Sequence, residues 1–178
     1  QAVLELGVGG LSLELGGSSG AGLPNVTSML HISQMHLHAN RLAQFGVHSA
    51  GIIRSRFSYL GATHALDAGI KLVDGFILQI QDSTLAHNKV AGLHIFENAN
   101  AVEVTHNEIS ANEGIGVYVE GGAQISIARN TLEGNGGPWI FAWDVLGLDL
   151  QSNYFESNCE STGAGGEPVF VLTPLSAA

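Results

Sequence analysis

From Phe76 onward the chain repeats a motif of about 23 residues, and no other feature limits its fold as tightly. Ile80, Val104, Ile127 and Leu150 each open the pattern apolar-x-x-Asn/Ser-x-apolar-x-x-Asn, at spacings of 24, 23 and 23 residues. Five places on stand Leu85, Ile109, Leu132 and Phe155, and eight places on stand Asn88, Asn112, Asn135 and Asn158. A second polar column holds Asn107, Asn130 and Asn153, with Ser83 one repeat earlier. A helical solenoid would carry apolar residues at a period of 3.6 over ten or more positions. Here each unit instead gives short alternating pieces, such as Val102-Glu-Val104 and Val117-Tyr-Val119, between Asn/Gly corners. Strands of 3–5 residues, two or three to a turn, imply an all-β coil of parallel sheet with rungs about 4.8 Å apart. Asn suits the corners because it tolerates a left-handed backbone and its amide can bond to the same amide one rung on.

The first half carries a degraded form. Ile32, Leu37 and Asn40 fit the offsets, and so do Ile52 and Phe57, with Leu60 in the place of Asn. The steps there are 20 and 28 residues, and the longer one is read as a loop around residues 61–67. Alternating Leu11, Leu13 and Leu15 suggest strands of an earlier turn. The expected organisation is one β-helix domain over residues 1–163, with six to eight turns. Clear repeats run over 76–158, degraded ones over 30–75, and a candidate first turn over 1–29. Residues 164–178 form a C-terminal extension around the short apolar strand Val169–Leu172.

The segments Asn107-Glu-Ile109-Ser-Ala-Asn112-Glu-Gly-Ile115 and Asn130-Thr-Leu132-Glu-Gly-Asn135-Gly resemble the right-handed parallel β-helix of the pectate-lyase-like superfamily. They are most similar to the Asn/Gly repeats of its carbohydrate-binding and sugar-hydrolase modules and of the mannuronan-epimerase type. The resemblance spans residues 32–158. It implies the fold more than an activity, because that scaffold carries lyases, hydrolases, epimerases and purely structural proteins. The family's catalytic signatures do not transfer. There is no Asp-Pro-His-Asp/Glu tetrapeptide and no adjacent Asp pair, and the chain's Asp are only Asp67, Asp74, Asp82, Asp144 and Asp149. No cofactor or metal is therefore expected.

The repeat register predicts the outward columns. Two places beyond the opening residue it puts Arg54, Asp82 and His106 in one row, continued by Arg129. This row is either a catalytic or uronate-binding set or a surface charge ladder, and the ladder reading carries more weight. His36 and His38, two apart on one strand, share a face as a metal pair could, although no third ligand is in register with them. Aligning Leu72, Ile95, Val119 and Ala142 as inward residues puts Lys71, His94, Tyr118 and Phe141 in one outward column and Trp143 in the next. Trp139, Phe141 and Trp143 alternate along one strand and read as an aromatic strip facing outward, a platform for a glycan or an anchor for a partner protein. The competing reading is an inverted strand whose aromatics fill the core.

Six basic against sixteen acidic side chains, a net charge of −10, argue against a nucleic-acid partner and favour a neutral glycan or a protein. No apolar run approaches the roughly 20 residues of a membrane span. The one cysteine, Cys159, excludes an intrachain disulfide. The chain opens at Gln1 in apolar strand material with no capping helix, so its N-terminal end is expected to be covered by another subunit or a missing domain. The function these features favour is a non-catalytic scaffold or binding module of an extracytoplasmic protein. The alternative is a polysaccharide lyase, epimerase or hydrolase, or a fragment of one.

Overall fold

The computed structural model describes the backbone of residues 2–7, 10–15, 27–158 and 169–172, and side chains over 29–158. All the regular elements among these residues are strands. Among the described residues no helix is long and apolar enough to cross a membrane. The strands build two long parallel sheets that wind around a common core, in about five turns of about 23 residues rather than six to eight.

The first sheet contains β1 (Ala2–Gly7), β2 (Gly10–Leu15), β5 (Phe45–Ala50), β7 (Ala68–Val73), β10 (Ala91–Phe96), β13 (Ile115–Glu120), β16 (Ile140–Trp143) and β19 (Val169–Leu172), in that order. The second holds β3 (Thr27–Ser28), β4 (His31–His38), β6 (Ile52–Thr63), β8 (Phe76–Gln81), β9 (Thr84–Ala86), β11 (Asn100–Thr105), β12 (Glu108–Ser110), β14 (Ala123–Ala128), β15 (Thr131–Glu133), β17 (Leu146–Gln151) and β18 (Tyr154–Glu156). β1 and β2 pair antiparallel as a hairpin, and β2 joins the first sheet alongside β5. Of the expected extension over 164–178, only Val169–Leu172 lies within the described residues, paired parallel to β16.

The register corrects the alignment of the first half. Phe57, not Ile52, pairs with Ile80, and Ile32 pairs with Phe57. Ala62 then matches Leu85, and residues 61–63 continue β6 instead of forming a loop. The repeat is therefore regular from Phe57 on. It escapes detection in sequence because Ala62 and Ala65 stand where later rungs carry Leu and Asn.

Apolar columns fill the interior: Phe57, Ile80, Val104 and Ile127 in one, Val47, Ile70, Leu93, Val117 and Ile140 in another, all fully buried. Burial of each such side chain is worth about 1.5–3 kcal/mol. Beside them runs a glycine column. A Cβ on Gly69 would lie 2.8 Å from Gly92 O and from Asn88 Nδ2, and one on Gly92 would lie 2.9 Å from Gly116 O and from Asn112 Nδ2. The neighbouring rung and the amide ladder leave no volume there for a side chain.

The Asn ladder forms as expected, for one of the two reasons expected: the amides bond from rung to rung, but the backbone at the ladder Asn is not left-handed. Asn88, Asn112, Asn135 and Asn158 are buried inside the coil, linked Nδ2 to Oδ1 at 3.0, 2.8 and 2.7 Å. Asn107, Asn130 and Asn153 form a second ladder at 3.0 and 3.1 Å. The ladder Asn residues are not the left-handed ones. The residue before each takes that role: His87, Ala111, Gly134 and Ser157 on one corner, Asp82, His106, Arg129 and Ser152 on the other, with φ between 50° and 61°.

Asn112 Oδ1 accepts from Asn88 N and Nδ2, while its Nδ2 donates to Leu85 O and Asn135 Oδ1. Asn112→Ala should therefore cost about 3 kcal/mol in urea unfolding, by stranding several buried groups. Asn153→Ala, at a half-buried position near the ladder's end, should cost about 1 kcal/mol. Equal losses at the two sites would show that the ladder does not act through buried amides.

Candidate functional site

The expected row of Arg54, Asp82 and His106 does not exist as drawn. With Phe57 opening the rung, the residue beside Asp82 is Tyr59. Arg54 moves to another left-handed corner, level with Ile77 and Ala101. Asp82 Oδ2 accepts from Gln81 Nε2 at 2.9 Å, and His106 Nε2 accepts from Arg129 Nε at 3.2 Å. Arg56 donates twice to Gln79 Oε1, which lies level with it.

The aromatic strip is also partly redrawn. The columns are as expected, with His94 beside Tyr118, Tyr118 beside Phe141 and Glu120 beside Trp143. Trp139, however, precedes β16 and extends the glycine column of Gly69, Gly92 and Gly116, so its ring enters the coil and stacks on Phe155 at 4.3 Å. Phe141 is half-buried against Tyr118, and His94 is only 7 % exposed, stacked on Tyr118 at 4.5 Å. Lys71 Nζ lies 5.0 Å from the Phe96 ring. Most of the strip packs on itself, and Trp143 is its one clearly exposed ring, at 46 %.

A hollow lies on the second sheet. A cleft of about 730 Å³ runs across β4, β6, β9 and β12. Its wall is set by register: His36, Gly61, Thr84 and Glu108 stand in one column, with Tyr59 and Asp82 at the preceding corner. The His36 ring occupies the space over Gly61, where a Cβ would come within 2.6 Å of it. His36 and His38 do share a face, but they part company. His38 stacks on His64 at 4.3 Å and 16°, and His64 meets His87 at 5.1 Å and 32°. Among the described residues no three His, Cys, Asp or Glu converge as a metal site. Sequence reading missed this stack, although His64 and His87 lie 23 residues apart, the repeat length itself.

A parallel coil with internal amide ladders and a cleft on its flank defines a β-solenoid protein. The chain belongs to the family described as right handed beta helix region, which matches residues 15–135. No curated protein matches it. Among solved structures it is similar to the A-module of mannuronan C-5 epimerase AlgE4 from Azotobacter vinelandii, at 10 % identity and a TM-score of 0.23, over 76 % of this chain. The chain spans 60 % of that module's length.

Burial first, and then Lys71, hold the His94 imidazole down to about 4 from its ordinary 6.5. Neither ring nitrogen has a hydrogen-bond partner, and Glu120 Oε2 stands 3.8 Å from Nε2. The unfolded chain therefore binds a proton more readily than the folded one. Stability from this group is complete above about pH 6.5 and is lost as pH falls from there towards 4. Urea unfolding should weaken over that window by no more than about 3 kcal/mol on account of His94. His94→Phe should flatten the profile, and an unchanged profile in that variant would clear His94 of the effect.

Proposed function

We propose that the protein is a binding module that holds an extended glycan in the cleft across β4, β6, β9 and β12. The observation that carries this reading is the cleft itself: open, crossing successive rungs, and lined by hydrogen-bonding tips beside the 59 % exposed ring of Tyr59. A sugar needs an apolar face to stack on and donors and acceptors at its edge, and this wall offers both. The cleft crosses successive rungs at nearly constant steps, as an elongated ligand requires. Trp143 on the other sheet is a secondary contact point, for a partner protein. With that ligand goes the reading of an extracytoplasmic module, where extended polysaccharides are met.

A second reading, an enzyme acting on a polysaccharide, has one observation in its favour: the carboxylates of Asp82 and Glu108 open onto the same cleft as His36 and Tyr59. These are groups able to give or take a proton beside a bound sugar.

Calorimetric titration against a panel of oligosaccharides tests the binding reading. Tyr59→Ala should weaken a glycan hit by about 1–3 kcal/mol while leaving the melting temperature nearly unchanged. No binding across the panel would remove the proposal. Release of reducing or unsaturated ends from any polymer of the panel, abolished by Asp82→Asn, would decide for the enzyme.

A further inference from the structure

Charge is segregated along the coil. No Asp or Glu occurs between Glu14 and Asp67, whereas Arg41, Arg54, Arg56 and five of the eight histidines do. In a solenoid, sequence position is axial position, so the rungs next to the β1–β2 hairpin, which itself carries Glu5 and Glu14, gather the cations of an acidic molecule. The stack of His38, His64 and His87 lies there, on three successive rungs at one side of the cleft.

The surroundings of His64 are cationic as well. Its imidazole is held below the ordinary value by burial first, then by His38, His87, Arg41 and His36. The carboxylates facing the cleft are Asp82 and, on β12, Glu108, with Tyr59 projecting from β6. Glu113 is taken up by Arg41. Among the described residues no carboxylate is one of the groups that act on His64. In that line, with rings 4–5 Å apart, His64 resists protonation because burial disfavours its charge and its neighbours His38 and His87 repel it. An anion seated on that line would reverse the balance, since it gains from every proton the stack takes up.

We propose that His38, His64 and His87 form a proton-linked oxyanion site, which binds a sulfate or carboxylate group together with at least one proton. The site goes beyond the glycan reading, because it takes up a free oxyanion whether or not a polymer fills the rest of the cleft.

The test is titration of the folded full chain with sodium sulfate, followed by the histidine ring-proton NMR signals, at pH 5.5 and 7.5 and constant ionic strength. Sulfate should bind about tenfold or more tightly at the lower pH, and the midpoint of His64 should move up when sulfate is present. His38→Gln and His87→Gln should each abolish that pH dependence, while His48→Gln on the other sheet should preserve it. Equal affinity at both pH values, or a His64 midpoint indifferent to sulfate in the wild-type chain, would overturn the site. The same titration with sulfated, uronate and neutral oligosaccharides separates the sources of the anion. Binding of sulfate alone would keep the site and remove the glycan. Binding of neutral sugars without any response to sulfate would do the reverse.

Discussion

The whole coil depends on keeping one turn in register with the next, and buried side-chain amides do this. Backbone ladders between parallel strands look much the same after a slip, and apolar columns tolerate exchange among Leu, Ile and Val. A buried amide does not. Asn130 Nδ2 reaches back to Val104 O and forward to Asn153 Oδ1, while its own Oδ1 accepts from Asn107 N and Nδ2. Every donor and acceptor of that group is used only when the rungs advance by 23 or 24 residues. Any other advance leaves buried polar groups unpartnered, at about 1–3 kcal/mol each. Apolar burial supplies most of the energy, and the amides choose which alignment collects it.

That choice is tight enough to hold the corners in a conformation L residues avoid. Among the described residues, twenty that are not glycine have φ between 50° and 62°, one of them Ile77, whose branched Cβ makes that backbone especially costly. Such corners persist because their backbone groups bond between rungs, as with Asp82 N to Thr105 O and Arg129 N to Gln151 O. Since the corner side chains point away from the core, their identity is free of packing. One corner accordingly carries Tyr59, Asp82, His106 and Arg129 in succession, four different chemistries on one backbone geometry.

The same dependence on amides explains what could be read in the sequence. From Ile80 to Asn158 the Asn columns mark the register, and every pairing of β8, β11, β14 and β17 follows from the spacing. One rung earlier the columns hold Leu60 and Ala65, whose backbone amides still donate to Ser83 Oγ and Asn88 Oδ1 but whose side chains carry no mark. The offsets then fit Ile52 as readily as Phe57, and that five-residue slip sets Arg54 where Tyr59 belongs. Trp139 fails for a different reason. Strand alternation breaks at the corner before each rung of the first sheet, where consecutive residues such as Gly69 and Ile70 are both buried, so counting by twos across it reverses inside and outside.

The position of the cleft follows from the same break. Where the ladders give out, β4 and β6 run on as strands of 8 and 12 residues through a corner that interrupts every later rung. Gly61 replaces the Thr and Glu of the column it shares, leaving a hollow into which the His36 ring folds. The rungs in which repetition is least strict are thus those whose outward side chains are most varied. They are also the rungs where the chain's sparse cations gather. Strict repetition is what a coil needs to stand, but a surface that repeats identically cannot single out one point along a ligand. The end of this coil that departs from its own pattern is the part able to do so, while the regular rungs beyond Ile80 hold it rigid.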